Sequence, residues 1–342
     1  MKLIETKNAV GHVLCQDLTQ IIRGVTKDAR FRKGHIVKEE DIPVLLSMGK
    51  EHLYIWENDE NTLHENEAAL ILEKATKNNY MLSSEIKEGK IELKTTIDGV
   101  LEIDLKRLNA INSLNNIIIA TISNHYPVKK DMKLAGMRII PLIIEKEKMD
   151  QVGKIADETN PILAIHPYSI KSASIIVTGN EIKKGIIKDT FSQVVINKLE
   201  EFGVVIDSVS YSGDDTDVIV KQIHQARDRK SQLIICTGGM SVDPDDKTPK
   251  AISESGAKRS VYGSPVLPGA MLNISYLDDI PVLGLPGCVM YARRTVFDLV
   301  LPRVLANIKL SAQDIQNLGN GGLCLNCEAC HFPNCSFGKG AI

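Results

Sequence analysis

Hydrophobic positions change their period along this chain of 342 residues. Beyond Ser172, short apolar runs alternate with stretches whose apolar residues recur every three or four positions, a pattern of strand followed by helix. Ser174 to Val177, Val204 to Val209 and Leu233 to Ile235 read as strands. Between them, Phe191, Val195, Leu199 and Phe202 form one helical stripe, and Ile219, Ile223 and Ala226 form a second within Thr216 to Arg227. Such alternation predicts right-handed βαβ units and a largely parallel sheet. Pro281 to Leu285 predicts a further strand, and Cys288 to Ile308 a long helix interrupted near Pro302.

Upstream the pattern is shorter and more β-like. Val10 to Leu14 reads as a strand, Arg32-Lys33-Gly34-His35 as a turn, and His52 to Trp56 as another strand. Glu39-Glu40-Asp41 before Ile42, Leu45 and Leu46, with Gly49 after them, marks a helix by its acidic start and glycine stop. Glu65 to Lys77 carries Ala68, Ala69, Leu72 and Ala75 at helical spacing. Ile91 to Ile103, Ile117 to Ile122 and Met137 to Ile144 are β-branched and apolar, with Asp98-Gly99 as a turn. Asn160-Pro161 and His166-Pro167 place a junction near Ser169 to Ser172. The expected organisation is a mixed unit at 1–60, a β-rich middle domain at 61–170, an α/β domain at 171–309 and a cysteine-rich tail at 310–342.

Composition acts mainly by exclusion. Hydrophobic content of 43% supports sizeable cores, while 41 basic and 43 acidic residues, well mixed, leave a net charge of -2. That balance, with 4% aromatics, offers neither an electrostatic footprint nor stacking surfaces for nucleic acid. No apolar run is long enough to span a bilayer, so a cytoplasmic protein with reduced cysteines is expected. His12, His35 and His52 lack ligand spacing, and Lys129, Lys130 and Lys133 read as a solvated face.

Candidate chemistry gathers where the α/β strands should open into loops. These are Thr178-Gly179-Asn180-Glu181, Ser212-Gly213-Asp214-Asp215, Thr237-Gly238-Gly239 through Pro249, and Leu285-Pro286-Gly287-Cys288. Adjacent glycines let backbone N–H groups approach an anion, and Ser241, Asp243, Asp245, Asp246, Lys247 and Lys250 follow within reach. A surface turn would use the same residue types, and helix capping accounts for one of Asp214 and Asp215. Neither a P-loop nor a dinucleotide fingerprint occurs at these strand ends. Acids and lysines around glycine loops fit a phosphate-bearing ligand held partly through Mg²⁺.

Taken together and in order, Thr178-Gly179-Asn180-Glu181, Gly185-Ile186-Ile187-Lys188-Asp189, Asp214-Asp215, Thr237-Gly238-Gly239-Met240-Ser241, Asp246 with Thr248-Pro249, and Gly284-Leu285-Pro286-Gly287 resemble the molybdopterin-binding domain of molybdenum-cofactor biosynthesis proteins. Ala9 to Leu14 resembles the start of its larger member, the molybdopterin molybdenumtransferase. The resemblance implies a three-layer α/β domain with a mostly parallel sheet, preceded by a β-rich N-terminal half. It implies molybdopterin or its adenylate as ligand, molybdate as co-substrate, Mg²⁺, and molybdenum enzymes as recipients. It implies catalytic roles for Asp246, Asp214, Asp215 and Glu181, and ligand contacts from Thr178, Gly179, Thr237, Gly238, Gly239, Ser241, Lys247, Lys250, Pro286 and Gly287. A non-catalytic cofactor-binding or sensing protein is the alternative. A homo-oligomer is compatible with the sequence.

The pattern departs from the family in places. Its Pro-Gly-Lys-Pro stands here as Pro268-Gly269-Ala270-Met271, its Pro-Gly-Asn-Pro as Pro286-Gly287-Cys288-Val289, and its Asp-Ser-Asn as Asp189-Thr190-Phe191. Nothing in the N-terminal region matches the transferase's Met-Asp-Gly-Tyr-Ala.

Separately, Cys324, Cys327, Cys330 and Cys335 crowd a glycine-rich tail with too few apolar residues to fold unaided. Metal would stabilise it. Cysteines spaced two apart favour an iron-sulfur cluster, with Zn²⁺ as the competitor, since zinc sites usually use two pairs with a longer spacer.

Overall fold

Ser172–Thr178 (β1) sends Ile175 and Val177 to one face and Ile176 to the other, all buried, as a strand covered on both sides must. The computed structural model describes residues 2–22, 26–55, 60–156, 160–241, 243–244 and 246–340, so the expected strand end at Trp56 and the loop residue Asp245 lie outside the described residues. The chain divides into two compact units. One comprises Met1–Lys94, Asp104–Ile122 and Lys133–Ala164, and the other Thr95–Ile103, Ser123–Met132 and Ile165–Ile342.

In the second unit β1 is followed by Asn180–Lys183 (α1), Phe191–Glu200 (α2), Val205–Ser212 (β2), Thr216–Asp228 (α3), Ile234–Thr237 (β3), Thr248–Glu254 (α4), Lys258–Tyr262 (β4), Asn273–Leu277 (β5), Ile280–Leu285 (β6), Val296–Leu305 (α5) and Ala312–Gln316 (α6). The six-stranded sheet has the order β2-β1-β3-β6-β5-β4. β2, β1, β3 and β6 run parallel, and β5 and β4 add antiparallel at one edge. On one face Phe191, Val195 and Leu199 of α2 and Val296, Phe297 and Val300 of α5 pack with Ile175, Val177, Ile235 and Leu283. On the other, Ile219, Ile223 and Ala226 of α3 and Ala251 and Ile252 of α4 pack with Ile176, Ile234, Cys236 and Val282. The result is the expected three-layer α/β arrangement with a mostly parallel sheet. Complete burial of each such Val, Leu, Ile or Phe contributes about 1.5–3 kcal/mol, so both layers are needed to hold the strands in line.

The first unit is rich in short strands. Lys2–Glu5 pairs with His52–Ile55, Leu18–Ile22 with Thr26–Phe31, and Thr62–His64 with Ile143–Glu145. A four-stranded antiparallel sheet in the order 81–83, 91–95, 133–139, 117–121 carries the helix Glu65–Thr76, whose Leu72 is fully buried.

Three expectations change. Val10 to Leu14 is not a strand, because Val13 bridges Ile36 and Leu14 bridges Ile55; two different partners cannot form one ladder. Ile91–Thr95 and Gly99–Ile103 are strands but not a hairpin. Thr95 Oγ1 donates to Ile97 O at 2.8 Å and bends the chain, sending Gly99–Ile103 to pair with Pro127–Val128 instead. The long helix from Cys288 is a 3-10 turn, Gly287–Met290, and then α5, restarted by a capping box between Thr295 and Asp298.

Candidate functional site

Four parallel strands end together. Thr178 of β1 pairs with Ser212 of β2, Val177 with Thr237 of β3, and Thr237 with Leu285 of β6, which brings the four motif loops to one edge of the sheet. Open α/β sheets bind ligands at this edge. Gly238 and Gly239 both have positive φ, +83° and +56°. A Cβ on Gly238 would stand 2.3 Å from Thr178 O, and one on Gly239 2.7 Å from Thr248 Oγ1, so only glycine lets β3's loop cross β1 this closely.

Thr248 organises the crossing. Its hydroxyl donates to Gly238 O at 2.9 Å and meets Thr178 Oγ1 at 3.0 Å, while its N–H donates to Gly239 O at 3.2 Å. In the sequence Thr248 stands out only as a member of the Thr248-Pro249 motif, with no role of its own. The available signal is a hydroxyl residue at the start of α4, with proline at the next position. Thr178 Oγ1 in turn donates to Thr237 O at 3.1 Å. Thr237 Oγ1, fully buried, has no hydrogen-bond partner among the described residues.

The acidic residues separate by role. Asp215 is the N-cap of α3, accepting from Asp217 N at 3.0 Å and Val218 N at 3.2 Å. Asp214 Oδ2 accepts from Asn180 N at 3.2 Å and ties the second loop to the first. Gly213 lies close by, where a Cβ would stand 2.4 Å from Asn180 Oδ1 and displace that side chain. Glu181 is exposed on α1 beside the exposed Lys183 and Lys184. Asp246 is half-buried, and its N–H donates to Asp243 O at 2.9 Å. Lys247 Nζ donates to Pro244 O at 2.7 Å, and Lys250 pairs with Glu254 at 3.6 Å along the exposed side of α4. Ser241 is exposed at the loop tip, Pro286 is buried, and Gly287 is open, with nothing within 4 Å of the point where a Cβ would stand. Asp189, Tyr211 and Ser192 form a further link: Tyr211 Oη donates to Asp189 Oδ2 at 3.2 Å, and Asp189 caps the start of α2. Burial pushes the Cys236 thiol up to about 12, so it is a packing group and no nucleophile.

Among the described residues, no three His, Cys, Asp or Glu side chains are placed to hold one metal ion. The edge therefore carries a glycine turn, separate carboxylates and, beside them, a buried hydroxyl without a partner.

At the chain's end Cys324, Cys327, Cys330 and Cys335 all line one cavity of about 70 Å³, together with Arg293, Arg294 and Phe332. The segment is built into the second unit. Phe337 and Leu318 lie in the main core, Cys324 N donates to Leu267 O at 2.8 Å, and Arg293 Nη1 donates to Glu328 O at 2.6 Å. The sequence predicts a tail unable to fold unaided, and these contacts, which come from residues distant in sequence, give it support that its own composition does not show.

Residues 174–306 match a family model described as a probable molybdopterin binding domain, and residues 3–57 match a domain of unknown function. The chain is similar to a CinA-like protein of Thermosipho melanesiensis, 34% identical over 93 residues, which are 27% of this chain and 23% of that protein. It is 37% identical over 78 residues to a probable FAD synthase of Caenorhabditis elegans, covering 23% of this chain and 15% of that one. The chain thus spans less than a quarter of the length of these curated relatives. Among solved structures, the molybdopterin biosynthesis enzyme MoaB of Thermus thermophilus is 23% identical with a TM-score of 0.36, covering 40% of this chain and 96% of that one. No described helix is long and apolar enough to cross a membrane.

Proposed function

We propose that the second unit binds molybdopterin or its adenylate in molybdenum-cofactor biosynthesis, with the phosphate seated on the Gly238-Gly239 turn. The observation that carries this reading is Thr237 Oγ1. A buried hydroxyl with no partner costs about 1–3 kcal/mol, and it stands beside a glycine cradle at the strand ends of a domain matching the molybdopterin-binding family. A phosphate oxygen would reach it only with a shift of the Gly238-Gly239 turn, because Thr237 has no exposure of its own. Thr178, Gly179, Ser241, Pro286 and Gly287 edge the same seat. Lys247 and Lys250, whose bonds are to a loop carbonyl and to an exposed glutamate, can turn toward the anion at little cost.

The finer reading is a molybdenumtransferase-like reaction with molybdate. Mg²⁺ would be bound by one or two carboxylates together with the ligand's pyrophosphate, which requires no three-carboxylate cage in the protein. Asp246 and Asp214 are its candidate holders, and the ion would neutralise pyrophosphate charge. Glu181 is the exposed acid nearest the glycine of the first loop, 3.6 Å from the Gly179 Cβ position. Asp215 is occupied as a cap.

The tail we read as an iron-sulfur site. The support for this reading is the spacing of Cys324, Cys327 and Cys330 along the chain, together with the fact that all four cysteines line one cavity of about 70 Å³.

The deciding experiment mixes purified protein, adenylated molybdopterin, molybdate and Mg²⁺. AMP release that is lost in Asp246→Asn with binding retained supports the transferase. Tight binding without release in the unaltered protein supports an accessory or sensor role delivering cofactor to molybdenum enzymes. Absence of binding rejects the pterin site.

A further inference from the structure

The second unit holds a cavity of about 440 Å³ that is lined by no residue of the four motif loops. Its size falls within the range of about 300–1,000 Å³ usual for small-molecule sites. Tyr126 and Met132 from one segment and Phe332 and Asn334 from another help to line it, and all four lie outside the matched residues 174–306. The matched domain by itself would not form this cavity.

Lys198, Arg294 and Asp298 give it a charged wall. Asp298 Oδ1 accepts from Lys198 Nζ and, at 2.8 Å, from Arg294 Nη1, while its Oδ2 accepts from Thr295 N at 2.8 Å. The carboxylate is fully occupied, and two cations share its single charge. Lys198, 10% exposed at its side chain, gives a second N–H to Arg293 O at 3.2 Å. An ammonium has three, so one N–H has no acceptor among the described residues. A positive charge left over in a desolvated place is stabilised by an anion. Lys129 and Glu201 also line the cavity, but both are exposed and Lys129 pairs with Asp98 at 3.0 Å, so water screens their fields.

Much of the remaining wall is aromatic, and its rings are held in place. Phe202 meets Tyr168 edge-on with centroids 5.2 Å apart, Phe332 lies under the Arg294 guanidinium at 5.0 Å, and Tyr126 Oη donates to Asn334 Oδ1. Rings fixed in this way offer faces and edges for another ring to pack against. We propose that this cavity is a ligand site, separate from the glycine turn, for a small organic anion that carries a flat ring. The anionic group meets Lys198 and Arg294, and the ring packs among Phe202, Phe332 and Tyr126. The site needs neither a pterin nor a metal.

The test is calorimetric titration of the full chain with benzoate and phenyl phosphate. Benzamide, acetate and inorganic phosphate are the controls. At least one ring anion should bind saturably, about tenfold or more tighter than benzamide and than its ring-free counterpart. Arg294→Gln should weaken that binding about tenfold or more, and Arg294→Lys should restore most of it. Arg294 also lines the cysteine cavity, so the locating variant is Glu201→Gln, at a residue that lines this cavity and not the other. Removing that exposed negative charge should tighten the ring anion about two- to threefold, a gain that a damaged fold would not give. If Arg294→Gln does not fold, the Glu201→Gln result decides alone. Absence of saturable binding, equal binding of benzamide or of the ring-free anion, or an affinity unchanged in Glu201→Gln overturns the proposal. Binding confined to phosphate-bearing probes and indifferent to both Arg294 and Glu201 also overturns it, by placing the anion on the glycine turn.

Discussion

Replacing Gly238 by alanine isolates the close approach on which the candidate site depends. The residue has φ +83°, where an L side chain costs about 1–2 kcal/mol. The new Cβ would lie 2.3 Å from Thr178 O and 2.9 Å from Thr178 Oγ1. Thr178 O belongs to a central strand paired on both sides, so it cannot retreat as a flexible side chain would. Overpacking against such a group costs about 1–3 kcal/mol. Alanine also narrows the unfolded ensemble, which returns about 0.4–1 kcal/mol. The net expectation is a destabilisation of about 1–5 kcal/mol, with the turn displaced and pterin binding lost. Gly287→Ala is the control, because its Cβ position is open and its φ is not positive; it should cost less than about 1 kcal/mol. Urea unfolding followed by circular dichroism, with molybdopterin binding measured on the same samples, reads both. If Gly238→Ala matches Gly287→Ala in stability, β3's loop does not cross β1 as described and the phosphate seat is wrong.

Other consequences are independent of that loop. Asp215→Ala removes the N-cap of α3 and should cost about 1 kcal/mol in thermal unfolding, whereas Asp214→Ala, which frees only one loop N–H, should cost less. Asp298→Ala leaves Lys198 and Arg294 without their shared carboxylate and should destabilise by about 3–5 kcal/mol, as measured by denaturant titration. Burial, followed by the charge of Arg303, pushes His125 down to about 4 from an ordinary value of 6.5. The unfolded chain therefore takes up this proton first as pH falls, and the folded state loses up to about 3 kcal/mol between pH 6.5 and 4. His166, raised by its bond to Glu102, acts in the opposite sense: its contribution is present below 6.5 and lost as pH rises through its folded value. Comparing the pH dependence of unfolding in the native chain and in His125→Gln separates the two, and an unchanged acid limb would refute the assignment to His125.

The sequence alone determined the features that depend on near neighbours along the chain. The apolar periods gave the strand and helix alternation after Ser172, the glycine pair marked the turn after β3, and the crowding of Cys324, Cys327, Cys330 and Cys335 marked residues that line one cavity, because period, backbone freedom and spacing are local properties. Those properties could not say which of Asp214 and Asp215 caps α3, since adjacent carboxylates are equivalent until the helix axis is laid down. They could not show that Thr248 ties β3's loop to β1, or that Thr237 Oγ1 is left unpaired, because both follow from the register of strands about sixty residues apart. The same limit hid the short antiparallel strands β4 and β5, whose pairing depends on the sheet edge already built by β6. It also hid the support under the tail. Phe337 finds its core, and Arg294 its place beside the cysteine cavity, only when α5 has packed on the sheet, and contacts of that kind are decided by the folded layers rather than by any stretch of chain.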